Sequence, residues 1–254
     1  MSIASRARFA DVVQTNPVDT TLACLLTGCE VEDLVIAESY EVLDELTRSV
    51  RLASPSPAAA AAALQRALGE EAGFRGSEAD YDDLRSSLLH EVLRRGRGLP
   101  ILLSVVWCEV AQRVGVPAAC LGLPGHVMVC LGSPDGDHVV VDPFNGGVPR
   151  SVSPSPVLEG GDLLLRVLTN IRALTSRRER SLEMVRTRLW ATELSLLLPR
   201  HPLELRRERG ELLVRLGEHL AGAAELEAYA AVVPDEAVAE ETRRTARLAR
   251  SRLN

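Results

Sequence analysis

The chain has 254 residues, of which 46% are apolar, 25% charged and 3% aromatic, with a formal net charge of −6. That profile excludes a disordered or collagen-like chain, and the length suffices for one large domain or two small ones with an unassisted core. Every one of the 29 Lys or Arg positions is arginine. This excludes a P-loop lysine, a Schiff base with a carbonyl substrate or pyridoxal phosphate, and a lysine general base, because a guanidinium stays protonated.

The five cysteines, Cys24, Cys29, Cys108, Cys120 and Cys130, are odd in number and form no C-x-x-C. Neither a disulfide framework nor a zinc site is expected, and no cofactor is implied. The start MSIASRARFADVVQ has no apolar run after its arginines, and no window approaches about 18 apolar residues, so a cytoplasmic protein, neither exported nor membrane-bound, is expected. From Ile171 onward 16 Arg face 13 acids, whereas before it 13 Arg face 22 acids. Arginines in RRERSLEMVRTR and ELRRERGELLVR alternate with glutamates, which reads as i,i+4 pairing on solvated helix faces. With an acidic balance and few stacking aromatics, no nucleic-acid partner is expected.

In chain order, residues 9–97 are helical by pattern. Leu22, Leu25, Leu26, Val31, Leu34 and Ile36 lie in apolar clusters broken by Gly28, and Tyr40, Leu43, Leu46 and Val50 recur at helical spacing. SPSPAAAAAALQRALGEEAGF predicts an alanine-rich helix with Ser56 as N-cap and Pro57 in its first turn. YDDLRSSLLHEVLRRGRG predicts another, closed by its GRG. PILLSVVWCEVAQRVG predicts an apolar helix. VPAACLGL, HVMVCLG and DHVVVDPF predict three short strands, the last two joined by an Asp-Gly turn in SPDGD. After the SPSP stretch at 153–156, five helices are expected, the last three including a small-residue hairpin at tetratricopeptide-type spacing.

The chemistry-bearing residues lie in the middle segment. A turn centred near Asp135-Gly136 pairs residues whose numbers sum to about 271, which puts His126 near Asn145 and within reach of Asp142. A carboxylate orienting an imidazole over a helix N-terminus is the geometry of a Cys-His-Asp thiol enzyme. Asp142, preceding a proline, is also a turn former. Cys120 and Cys130 read as inert strand-core thiols, and Trp107 and Trp190 as core.

The segment RGRGLPILLSVVWCEVAQRVGVPAACLGLPGHVMV followed by VVVDPFNGG resembles the core of the SirB-one family of transglutaminase-like proteins. GFRGSEADYDDLRSSLLHEVL resembles the family's stretch before that core. RVLTNIRAL and RRERGELLVRLGEHLAGAAELEAYAAVVPDEA resemble its tetratricopeptide-like tail. The resemblance implies an α+β fold in three parts. Residues 1–97 form a helical N-terminal region. Residues 98–152 form a transglutaminase-like (papain-like) core of one buried helix on a short antiparallel sheet. Residues 153–254 form a helical tetratricopeptide-like tail.

In active relatives of the wider superfamily the nucleophile is a cysteine two residues after a glycine at the start of the core helix; that glycine corresponds to Gly98, and the cysteine position to Pro100. Proline cannot attack. Cys108 sits two turns farther in, about 12 Å from the helix start. Ser104, one turn in, is a weak substitute, because buried helix serines usually bond the i−4 carbonyl. Leu102 stands where the family pattern shows Ser or Thr.

Two readings follow. One is a non-catalytic binding or regulatory module of a GC-rich bacterium, with Gly98, Pro100, Gly125 and Phe144 shaping a pocket and a protein or peptide as partner. The other is an enzyme of amide chemistry, acyl transfer or amide hydrolysis, in which His126 and Asp142 serve a displaced nucleophile and a small acyl or amine substrate. Without lysine, the chain cannot supply its own side-chain amine.

Overall fold

The structure, a computed structural model, describes residues 3–177 and 181–252. The chain divides into two compact units, Met1–Val167 and Leu168–Asn254. The first holds α1 (Ile3–Val12), α2 (Thr20–Gly28), α3 (Ile36–Ser49), α4 (Pro57–Leu64), α5 (Leu89–Arg95), α6 (Pro100–Arg113), the strands β1 (Ala118–Leu123), β2 (His126–Gly132), β3 (His138–Asp142) and β4 (Val148–Arg150), and the start of α7 (Gly160–Arg177).

Local chemistry sets the helix starts. The Asp19 carboxylate accepts the Leu22 N–H at 2.8 Å to cap α2, and Ser56 Oγ accepts the Ala59 N–H at 3.3 Å, with Pro57 opening α4. Beyond Leu64 the alanine-rich helix continues as a π-helical stretch, Gln65–Glu71. Gly69 in that stretch lies against the turn after β3, where an added Cβ would fall 2.0 Å from the Gly146 carbonyl oxygen. Gly69→Ala is therefore expected to push that turn away and cost about 1–3 kcal/mol by overpacking. A thermal midpoint within a degree of wild type would contradict this.

The single helix expected over YDDLRSSLLHEVLRR is not continuous. Glu78–Asp82 and Leu84–Ser87 are separate 3₁₀ turns, and only Leu89–Arg95 is α-helical. Asp and Ser side chains win the competition for the backbone: Asp80 and Ser77 form a capping box, and Asp83 accepts the Arg85 N–H at 3.0 Å. Gly96, at φ 64°, ends α5 as the sequence leads one to expect.

α6 is the core element. Pro100 through Cys108, Val110 and Ala111 are all buried. The helix packs on β1 and β2 and also on α2, α3 and α5. The sheet is antiparallel in the order β1-β2-β3-β4; the short edge strand β4 has no signal in the sequence beyond its three residues. β1 and β2 join through Pro124-Gly125, with Pro in the second position of the turn and Gly125 at φ 69° in the third, the type II pattern. Between β2 and β3, Gly132 pairs His138 and Val129 pairs Val141. The loop is the five residues Ser133–Asp137, closed by the Ser133 N–H on the Asp137 carbonyl at 3.1 Å. Its centre is Asp135, so the pairing sits one residue from the register expected of a turn centred between Asp135 and Gly136.

The second unit holds the rest of α7, then α8 (Leu182–Leu197), α9 (Glu204–Arg215), α10 (His219–Ala230) and α11 (Glu236–Ser251). α8 packs on α9, α9 on α10 and α10 on α11. Ala223, Leu226, Ala246 and Ala249, most of them small, form a buried cluster between α10 and α11 with Val214 of α9 against it. The arginine-glutamate pairs differ from the expected i,i+4 pattern. Glu208 takes Arg172 at 2.5 Å and Arg188 at 2.5 Å, and Arg209 takes Glu193 at 3.1 Å and Glu225 at 2.6 Å, so these pairs join different helices, α9 to α7, α8 and α10. Among the described residues, Arg207–Glu211 keeps the same-helix i,i+4 spacing. The part of the RRERSLEMVRTR run at 178–180 lies outside the described residues. Among the described residues, no helix is long and apolar enough to cross a membrane.

Candidate functional site

His126 opens β2 and Asp142 closes β3, and the antiparallel pairing brings the two ends together: His126 Nε2 lies 3.0 Å from Asp142 Oδ1. The carboxylate is buried and fully engaged. Its Oδ1 also accepts the Phe144 N–H at 3.2 Å, and its Oδ2 accepts Asn145 Nδ2 at 2.6 Å, with Arg150 Nε at 3.9 Å. Burial by itself raises the Asp142 pKa, but the bonds from His126 and Asn145 outweigh it and hold the carboxyl below its ordinary value. Asp142 is thus both turn former and imidazole partner. An ionised Asp142 assigns the proton to Nε2 and leaves Nδ1 as the ring nitrogen directed away from it.

Three further residues at this site were not among those the sequence singled out. Arg166, in α7, donates through Nη2 to the Leu123 carbonyl at 2.7 Å and the His126 carbonyl at 2.9 Å, fixing both ends of the Pro124-Gly125 turn. It lies 40 residues from His126, so spacing could not reveal it. Asn145 stands three residues after Asp142, a one-turn spacing that would have found it. Tyr81 packs its ring 6.0 Å from that of Phe144. Burial raises its pKa, the nearby Asp142 charge adds to the rise, and Arg166 opposes it.

Phe144, half-buried, stands with its ring edge-on to His126 at 5.9 Å. The same ring lies against Gly76, where a Cβ would meet it at 2.0 Å and would sit 2.8 Å from the Gly98 carbonyl. The aromatic ring thus fills the space between the imidazole and the chain that leads into α6. Gly98, Leu99, Pro100, Ile101 and Leu102 are all buried, so this helix end is an apolar, covered surface. Gly125 is exposed in its turn.

The hydroxyl and thiol groups along α6 point elsewhere. Ser104 Oγ donates to the Val127 carbonyl at 3.3 Å, not to the i−4 carbonyl expected of it, because β2 approaches that face of the helix. Cys108 Sγ meets Cys120 Sγ at 3.5 Å. Strand alternation places Cys120 on the α6 side of the sheet, whereas Cys130 joins Leu121 and Val140 on the opposite side. His126 and Asp142 share the alternation of Cys130 and Val140. Among the described residues, Glu32, His90 and Glu91 bring metal-type ligand atoms close together. Arg94 pairs with both carboxylates, at 3.3 Å from Glu32 and 2.5 Å from Glu91, which makes the group an ion-pair cluster.

Residues 37–156 match the transglutaminase-like superfamily, and residues 171–254 match the tetratricopeptide repeat. The chain is 32% identical over 196 residues, 68% of its own length and 68% of the relative's, to a UPF0162 protein of Xylella fastidiosa. It is 33% identical over 113 residues to a UPF0162 protein of Pseudomonas aeruginosa, covering 43% of this chain and 40% of that one. F-box only protein 21 of Mus musculus is 29% identical over 105 residues, 39% of this chain and 17% of the mouse protein. No solved structure matches the chain. With a transglutaminase-like region followed by tetratricopeptide repeats, and with that identity and coverage, the chain belongs to the UPF0162 family.

Proposed function

We propose that this is a non-catalytic transglutaminase-like protein of the SirB-one type, acting as a binding or regulatory module whose tetratricopeptide tail engages a protein or peptide. The observation that carries this reading is the start of α6. The position that would hold the nucleophile is Pro100, and Gly98 to Leu102 around it are buried and apolar. A helix N-terminus is a good oxyanion site only where its free N–H groups can reach a ligand. Here the Leu99 N–H donates to the Ser86 carbonyl at 2.9 Å, and proline has none to offer. Within this reading, residues 1–97 are the helical N-terminal region, 98–152 the core and 153–254 the tail, in a cytoplasmic protein. His126, Asp142 and Phe144, with Gly125 in the adjoining turn, form a ligand-reading surface.

The thiols support the same reading. Burial pushes the Cys24 and Cys130 thiols up, and the contact with Cys120 together with burial does so for Cys108. Little thiolate is then present at neutral pH, and the thiolate is the nucleophile. Iodoacetamide is expected to label Cys24, Cys108 and Cys130 of the native chain far more slowly than in the denatured chain. Rapid labelling of one of these three would overturn the proposal.

A second reading, an enzyme of amide chemistry acting on a small acyl or amine substrate, is favoured by one observation: the imidazole is still oriented by a buried carboxylate. On that reading His126→Ala abolishes turnover. The fold should lose only about 1 kcal/mol in either case, since Asp142 keeps Asn145 and the Phe144 N–H. Thermal melting together with assay of amide substrates checks both parts.

A further inference from the structure

The first unit has a cavity of about 900 Å³ whose lining includes Asp19, Tyr40, Cys108, Glu109, Arg113 and Cys120, and neither His126 nor Asp142. At its wall two free thiols meet, Cys108 from α6 and Cys120 from β1, with their sulfurs 3.5 Å apart. A disulfide requires about 2.05 Å, so the sulfurs need close by only about 1.5 Å. The two elements are already locked together: Gln112 Nε2 donates to the Ala118 carbonyl at 3.0 Å, and the Val116 N–H to the Ala111 carbonyl at 2.9 Å. Side-chain rotation, with no change of fold, can complete the approach.

We propose that Cys108 and Cys120 are a modification site, a dithiol oxidised to an intramolecular disulfide by a small hydroperoxide that enters through this cavity. The inference is independent of the reading of His126 and Asp142. One thiol of the pair meets the oxidant and the other resolves the product. The first, as thiolate, attacks a peroxide oxygen, the O–O bond breaks, and the leaving oxygen takes a proton to become water when the peroxide is hydrogen peroxide. That sulfur is then a sulfenic acid. The second thiol gives up its proton and attacks it; the S–S bond forms, the S–O bond breaks and a second water leaves. Two thiols lose two electrons, and the peroxide gains them.

The test uses the full chain and hydrogen peroxide, with the chain's own methionines as a clock. Before methionine sulfoxide accumulates, two of the five thiols should disappear, and the intact mass should fall by about 2 Da. Since the chain is cut by trypsin only at arginine, the fragments 98–113 and 114–150 should appear joined. The Cys130→Ser variant assigns the second sulfur to Cys120, and the joined fragments should persist in it. Methionine oxidation with all five thiols intact would overturn the proposal, as would a disulfide through Cys24, Cys29 or Cys130. Cys120→Ser should keep the remaining four thiols free. If that variant fails to fold, the fragment map of Cys130→Ser, in which Cys120 is the one cysteine left in fragment 114–150, decides the question.

Discussion

Asp80→Ala is expected to destabilise the first unit by about 3–5 kcal/mol, the loss typical of breaking a buried, hydrogen-bonded charge. Asp80 is 2% exposed. Its Oδ2 accepts the Ser77 N–H at 2.7 Å and Ser77 Oγ at 2.8 Å, and its Oδ1 accepts Ser86 Oγ at 2.8 Å, while Arg97 Nη2 approaches Oδ2 at 3.2 Å. Truncation leaves the fully buried Ser86 hydroxyl without that acceptor and takes the carboxylate from Arg97, the residue before Gly98 and the entry to α6, which keeps its bond to Ser77 Oγ at 2.8 Å. Asp80→Asn, which keeps the shape and one acceptor, should cost less. Urea unfolding measures both, and a loss under about 1 kcal/mol for Asp80→Ala would show that the network is dispensable.

The same carboxyl sets an acid limit. Burial raises its pKa, but the bonds from Ser77, Ser86 and Arg97 outweigh burial and place it below 3.8. A folded-state value below the unfolded one means that the stabilisation is complete above pH 3.8 and is lost as pH falls through the lowered folded value. The wild type should therefore lose stability on acidification in that range, and Asp80→Asn should show a shallower fall.

Asp142→Ala is expected to cost about 2–4 kcal/mol, more than His126→Ala, because Asp142 holds more than the imidazole. Its removal orphans the Phe144 N–H and Asn145 as well as His126 Nε2, and it loosens the turn that Gly69 and Gly146 hold at close contact. The Asp142 carboxyl is also held below its ordinary value, so its contribution too is lost as pH falls through that lowered folded value. Comparing the two melting shifts separates the structural role of the carboxylate from its role as imidazole partner. Equal losses for His126→Ala and Asp142→Ala would mean that the pair acts only through the imidazole bond.

Much of this was legible from residue order. Ser56-Pro57 announced α4, Gly96 announced the end of α5, and the apolar run from Leu99 announced a buried helix, because capping and periodicity are local properties. The meeting of His126 and Asp142 was legible as well, since a short hairpin loop constrains the pairing of both strands. The one-residue difference in register was not, because it depended on whether Ser133 and Asp137 close a five-residue loop. A slip of one residue changes which face a side chain takes. The broken helix over Tyr81–Ser87 was missed because its pattern is helical while its Asp and Ser side chains bind the backbone.

The sequence by itself determined that residue 100 is a proline, which offers no side-chain nucleophile however the chain packs. It also excluded lysine chemistry and an own-chain lysyl amine. Only the tertiary structure decided what surrounds that position. Phe144 fills the space beside the imidazole, Arg166 grips the Pro124-Gly125 turn from 40 residues away, and Cys108 meets Cys120 across the helix-sheet interface. Each of these contacts joins residues of different elements, so each is created by packing and leaves no spacing in the chain to read.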